Sequence, residues 1–208
     1  MTCFAWYNCP KNAVDQCELN INGFCPKYFR QSTLYDMALV SEAQRFPITN
    51  LLDDDNTMAT ALLKYTKANI ATFVFAGGNL FIRSQGTGNG KTTWALILLR
   101  AYINHIWATS SMTCRALFIS VPKFLLAMKE NISTPNEYYQ YIKQNVYDAD
   151  LVIWDDIGSK LGTEFELEEK PIVLHNENGE IIPFLDENQK LIFALASQAA
   201  IAISNINY

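Results

Sequence analysis

The sequence predicts an α/β fold, a mostly parallel sheet flanked by helices and preceded by a small cysteine-rich segment. Three observations carry this. Apolar runs at residues 79–84, 115–121, 151–154 and 200–204 alternate with stretches of helical periodicity, the pattern that builds a parallel sheet through right-handed crossovers. The first run passes directly into a glycine-rich turn and then a helical pattern over 92–107, giving strand, loop and helix in succession. Four of the five cysteines, Cys3, Cys9, Cys17 and Cys25, fall in the first 25 residues, where periodicity is weak.

Composition narrows the function classes. The 208 residues are 50% hydrophobic and 18% charged, a balance that supports a packed core and excludes a mainly disordered chain. The net charge of −5 argues against affinity based on blanketing a nucleic-acid backbone, so any DNA contact is expected to be local. The charge is unevenly spread: 4 basic and 7 acidic residues over 1–60, 9 and 4 over 61–150, and 3 and 10 over 151–208. The middle stretch is the candidate anion-binding region. No apolar run reaches the roughly 18 residues needed to cross a bilayer; the longest, 191–203, is broken by Ser197 and Gln198. The N-terminus lacks the basic start and apolar core of a secretory signal, so the chain is expected to remain in a reducing cytoplasm.

Residues 1–50 form one unit and 51–208 another. In the first, the C-x5-C-x7-C-x7-C spacing lacks close C-x2-C pairs, leaving two readings open: one tetrahedral zinc, or reduced thiols packed on the main domain. A helix is expected over 27–44, carrying Tyr28, Leu34, Tyr35, Ala38 and Leu39 and closed by Pro47. Asp53, Asp54, Asp55 and Asn56 supply cap chemistry for a second helix through Leu62, Leu63 and Tyr65, ending by Gly77-Gly78. After the 115–121 strand come helices over 124–130 and 136–147. The tyrosines of the latter read as packing and surface residues, Trp154 as a bulky strand residue against a helix, and His105 and His175 as structural or solvated. Residues 171–185 suggest a hairpin around Glu177-Asn178-Gly179, followed by a short helix from about 186.

The sharpest motif is Gln85-Gly86-Thr87-Gly88-Asn89-Gly90-Lys91-Thr92. A triphosphate needs backbone amides turned inward around its oxygens, a helix N-terminus aimed at its charge, an ammonium on the outer phosphates and a hydroxyl for Mg²⁺. Gly86, Gly88 and Gly90 free the backbone, Thr87, Asn89 and Thr93 complete the cradle, Lys91 reaches the β and γ phosphates, and Thr92 holds the metal. Gln85 stands where the usual pattern has glycine. About 60 residues on, an apolar strand ends in Asp155-Asp156. Asp155 is the expected second Mg²⁺ contact and Asp156 the general base. The strand 200–204, if it lies between the loop strand and the Asp155 strand, brings Asn205 beside the γ-phosphate to orient water or sense hydrolysis.

With NLFIRS leading into GTGNGKTTWALILLRAYI, then RALFISVPKFLLAMKE and DLVIWDDIG, the chain resembles the DnaC/DnaI-type helicase-loader ATPases over about residues 25–165. The resemblance implies a P-loop NTPase core of RecA-like, AAA+ type that binds ATP and Mg²⁺, hydrolyses ATP, and helps place a replicative helicase on single-stranded DNA. It also implies a homo-oligomer on nucleotide binding and an N-terminal segment that grips the helicase. Residues 166–199 do not resemble the helix expected before the sensor strand. No helical lid is evident, and no arginine follows Arg115, so a C-terminal part truncated or divergent relative to the family, and weak turnover, are expected. A non-catalytic nucleotide-binding adaptor and the ATPase subunit of a transposition system are the competing readings; the latter shares the D-D-[IL]-G run.

Overall fold

A computed structural model describes residues 3–5, 9, 11, 16–46, 57–85, 88–157, 174–175, 181–182 and 199–206. Its centre is a parallel sheet of β1 (Asn79–Gln85), β2 (Ala116–Ser120), β3 (Leu151–Ile157) and β6 (Ala199–Ile206), in the order β1-β6-β3-β2. The last strand in sequence thus lies between the loop strand and the acid strand. A separate antiparallel pair, β4 (Leu174–His175) and β5 (Ile181–Ile182), forms the expected hairpin.

Helices cover both faces, because side chains alternate along each strand. Ala116 and Phe118 of β2 and Leu151 and Ile153 of β3 belong to one core cluster with Leu96, Leu99 and Tyr102 of α5 (Lys91–Ile106). Leu117, Ile119 and Val152 point the other way, into a cluster with Phe124 and Ala127 of α6 (Val121–Ser133) and Tyr139 and Ile142 of α7 (Glu137–Asn145). Trp154 meets Phe124 edge to face at 5.8 Å, and Tyr139 stacks on the same ring at 5.8 Å, so both aromatics pack as anticipated. On the α5 face lie α2 (Pro26–Met37), α3 (Met58–Ala68) and α4 (Ile70–Phe75), with short α1 (Glu18–Asn22) preceding them. Among the described residues no helix is long and apolar enough to cross a membrane.

Several boundaries differ from the sequence expectation. The helix expected over 27–44 stops at Met37. Leu39 takes a left-handed conformation (φ 62°), and the Leu39 and Val40 amides turn back to the Asp36 and Tyr35 carbonyls, a Schellman-type stop normally built on glycine. The turned chain then guards the outer edge of β2, where the Phe118 amide donates to the Ala38 carbonyl at 2.8 Å. A 3₁₀ turn over Glu42–Arg45 follows, capped by Ser41 and Gln44. The single helix expected from the Asp53–Asn56 cluster is two helices. The described cap of α3 is Thr57, whose hydroxyl accepts from the Thr60 amide, and Asn69 separates α3 from α4. Asp53 to Asn56, Pro47 and the helix expected from about 186 lie outside the described residues.

Candidate functional site

Parallel strands put all their C-terminal ends on one edge, and a topological change of direction there opens a crevice for a ligand. β1 ends at Gln85 and feeds the glycine-rich loop; β3 ends in Asp155, Asp156 and Ile157. Gly86 and Thr87 lie outside the described residues. The rest of the loop takes the form its glycines permit. Gly88 and Gly90 have φ of 81° and 76°, a region a β-carbon disfavours. Gly90 is also the N-cap of α5 and brings no side chain to its first amides, so the positive end of a 16-residue helix faces the loop. Asn89 is exposed, while Lys91 is only 6% exposed.

Strand parity explains the decisive contact. Leu151 and Ile153 face α5, so Asp155, two residues further on, faces the helix as well. It arrives at the first turn, where the Thr92 hydroxyl donates to a carboxylate oxygen of Asp155 at 2.9 Å across 63 residues of sequence. Asp155 is 6% exposed. Burial raises its pKa; the Thr92 hydroxyl opposes that shift, and the negative charge of Asp156 adds to it. A hydroxyl and a carboxylate oxygen in contact form the hard-oxygen donor pair that Mg²⁺ takes together with phosphate oxygens, so these residues fit the ion.

Asp156 departs from strand geometry. Trp154 pairs with Ala202 and Ile157 with Ser204, so β3 carries one residue more than β6 at this point. The bulge places Asp156 at φ 60°, breaking the alternation that would otherwise turn it toward the α6 side. Asn205 lies opposite Ser84 in the register of β6 with β1; its side chain is outside the described residues, as is that of His175. His105 is exposed on α5. Thr93 occupies the first turn of α5 beside Thr92. Ser120, which nothing in its local sequence marks, lies opposite Asp155 in the register of β2 with β3.

The four N-terminal cysteines come together. Cys3, Cys9, Cys17 and Cys25 carry unpaired, half-buried thiols and line one cavity of about 30 Å³ with Lys11 and Lys27. Burial raises the Cys3 thiol pKa and a backbone hydrogen bond from Ala5 lowers it, while Cys17, Cys25 and Cys9 each push it up. Among the described residues no group of three or more His, Cys, Asp or Glu side chains is arranged to hold a metal ion as it stands. Cys114 is separate and buried, with its thiol on the Met37 and Ala116 carbonyls.

No protein-family model matches the chain, and no curated protein sequence does.

Proposed function

We propose that the chain is a P-loop NTPase of RecA-like, AAA+ type that binds ATP with Mg²⁺ at the C-terminal edge of its sheet. The observation that carries this reading is the Thr92–Asp155 hydrogen bond of 2.9 Å. It joins the residue after the loop lysine to the acid of a distant strand, as a shared metal site requires. The left-handed Gly88 and Gly90 and the start of α5 at the loop support the phosphate cradle, with Gly86, Thr87 and Asn89 completing it. β6 between β1 and β3 supports Asn205 as the group that senses the γ-phosphate.

Thr92 and Asp155 would hold Mg²⁺, which would supply positive charge to offset that of the outer phosphates. Lys91 places its ammonium on the same phosphates. Asp156 accepts the proton of a water whose oxygen attacks the γ-phosphorus; the bond to the β–γ bridging oxygen breaks, leaving ADP and phosphate. A nucleotide-binding adaptor without efficient turnover is the second reading; measurable turnover that disappears in Asp156→Asn excludes it.

The resemblance to helicase loaders supports a replicative helicase and single-stranded DNA as partners, with a transposition ATPase as the competing assignment. Calorimetric titration of the full chain with ATP and Mg²⁺ tests the site. Binding is expected in the native sequence, none in Lys91→Ala, and loss of the Mg²⁺ dependence in Thr92→Ala. Unchanged affinity in Lys91→Ala removes the assignment. Co-elution with a replicative helicase, rather than with a transposase, tests the partner.

A further inference from the structure

Helices α3 and α4 behave as one interrupted rod. Asn69 alone separates them, and the bonding runs through it: its amide donates to the Tyr65 carbonyl at 3.0 Å, and the Phe73 amide donates to the Asn69 carbonyl at 2.9 Å. The rear of the rod is Leu63, Thr66, Ile70 and Val74, spaced 3, 4 and 4 residues apart. All four are buried, and Leu63, Ile70 and Val74 join the core that holds α5. The buried stripe therefore keeps its helical phase across the interruption.

The front of the rod is a second stripe, and it faces solvent. Met58, Ala61, Tyr65, Ala68, Thr72 and Phe75 follow one another at intervals of 3, 4, 3, 4 and 3 residues. All six are exposed, Met58 at 89%, Tyr65 at 67% and Phe75 at 65%. With 3.6 residues per turn this stripe lies about 180° from the buried one. Alternate steps of 3 and 4 are the spacing of a seam between two paired helices. The seam is also symmetric: about a point midway between Thr66 and Lys67, Met58 mirrors Phe75, Ala61 mirrors Thr72 and Tyr65 mirrors Ala68. An antiparallel second copy would set each Tyr65 ring on the partner's Ala68, large against small, so that the side chains interdigitate. Lys64 mirrors Asn69 and Lys67 mirrors Thr66, so like charges do not oppose one another.

We propose that two copies of the chain pair through this seam as an antiparallel two-fold dimer. The contact is isologous and closes on itself. It needs no nucleotide, in contrast to the nucleotide-dependent assembly that the family resemblance implies. A rod of about 27 Å with three large exposed side chains offers on the order of 600 Å² per copy, against about 800 Å² per partner in a standard interface, so the pair forms reversibly with concentration. A nucleic-acid backbone or an anionic bilayer calls for cations on the contact face, and none of the six seam residues is charged.

Sedimentation velocity of the full chain across the micromolar range tests the pairing. A reversible monomer–dimer equilibrium is expected, whether or not ATP and Mg²⁺ are present. Tyr65→Ser should weaken it at least about 10-fold, because a two-fold pair loses the ring twice. Its far-UV circular dichroism should match that of the native chain, since the ring lies on the surface. The register is read with charges. Ala61→Lys and Thr72→Glu should each weaken the dimer, and the double variant should recover the native affinity. Antiparallel pairing sets the introduced ammonium against the introduced carboxylate of the other copy, whereas within one chain the two positions are 11 residues apart. A chain that stays monomeric throughout overturns the proposal, as does a dimer indifferent to Tyr65→Ser, one that forms only with ATP, or a double variant no tighter than the single ones. So does a monomeric chain that binds oligothymidylate or anionic vesicles and loses that binding in Tyr65→Ser.

Discussion

Asp156 sits at φ 60° on a strand bulge, where an aspartate is tolerated and a β-branched residue is not. This separates its charge from its shape. Asparagine keeps the left-handed conformation and removes the carboxylate, so under the proposed function Asp156→Asn should retain fold and ATP affinity while turnover falls roughly 10²–10⁴-fold. Valine cannot occupy the conformation without strain, and Asp156→Val should lower unfolding stability by about 1–2 kcal/mol in a denaturant titration. Equal midpoints for the two variants would mean that the bulge does not constrain the residue. Gly88 works by the same logic without crowding: a β-carbon there would meet nothing within 4 Å, so any cost of Gly88→Ala comes from φ 81° and not from a clash.

Among elements, the contact of α2 with α5 joins the cysteine segment to the helix that begins at the glycine-rich loop. Arg30 donates from Nε to the Trp107 carbonyl at 2.8 Å and from Nη2 to the Ser110 carbonyl at 2.7 Å, placing a cation at the negative end of α5. Gln31 adds a bond to Asn104 at 3.2 Å. Arg30→Ala should therefore cost about 1.5–3 kcal/mol, read as a shifted denaturant midpoint at constant slope. Arg30→Lys should recover only part, since one ammonium cannot reproduce the fork on two carbonyls. A shift within about 0.5 kcal/mol for Arg30→Ala would show that the Arg30 fork adds nothing to the hold of the two helices on each other.

How legible an element was depended on whether its cause is local. The glycine loop and the helix after it are written in adjacent residues, and β3 opens on an apolar run, Leu151 to Trp154, because both faces of that stretch pack into the core. The end of α2 was hidden, because Leu39 does what glycine normally does and its packing beside Met37 in the second core is a tertiary matter. The Asn69 break and the Thr57 cap were overshadowed by a conspicuous acidic cluster just upstream. In the site, Thr92 and Asp155 were readable as types at a familiar separation. The bulge that turns Asp156 was not, since it arises from the register of β3 with β6, where Ile157 pairs with the distant Ser204. The convergence of four widely spaced cysteines was likewise beyond what spacing alone can specify.

At the scale of the whole molecule, one layer of helices is tied to the sheet through Tyr35, 3% exposed in the core that α2, α4 and α5 share with β2 and β3. Burial pushes its phenol from the ordinary 10 up to about 12, with Arg100 and Arg45 drawing it partly back. In the unfolded chain the phenol ionises near 10, whereas the folded protein keeps its proton to about 12. Between those values the unfolded state binds fewer protons, so stability falls as pH rises. The loss should begin near pH 10 and level off above about 12, with a total from this residue of about 2–3 kcal/mol. Tyr35→Phe removes the ionisable group but keeps the ring that Phe4 packs against edge-on. Urea midpoints measured across this range should fall less steeply in Tyr35→Phe than in the native chain. Parallel curves would assign the alkaline loss to other groups, such as Tyr102, whose phenol burial and Asp150 also hold above its usual range.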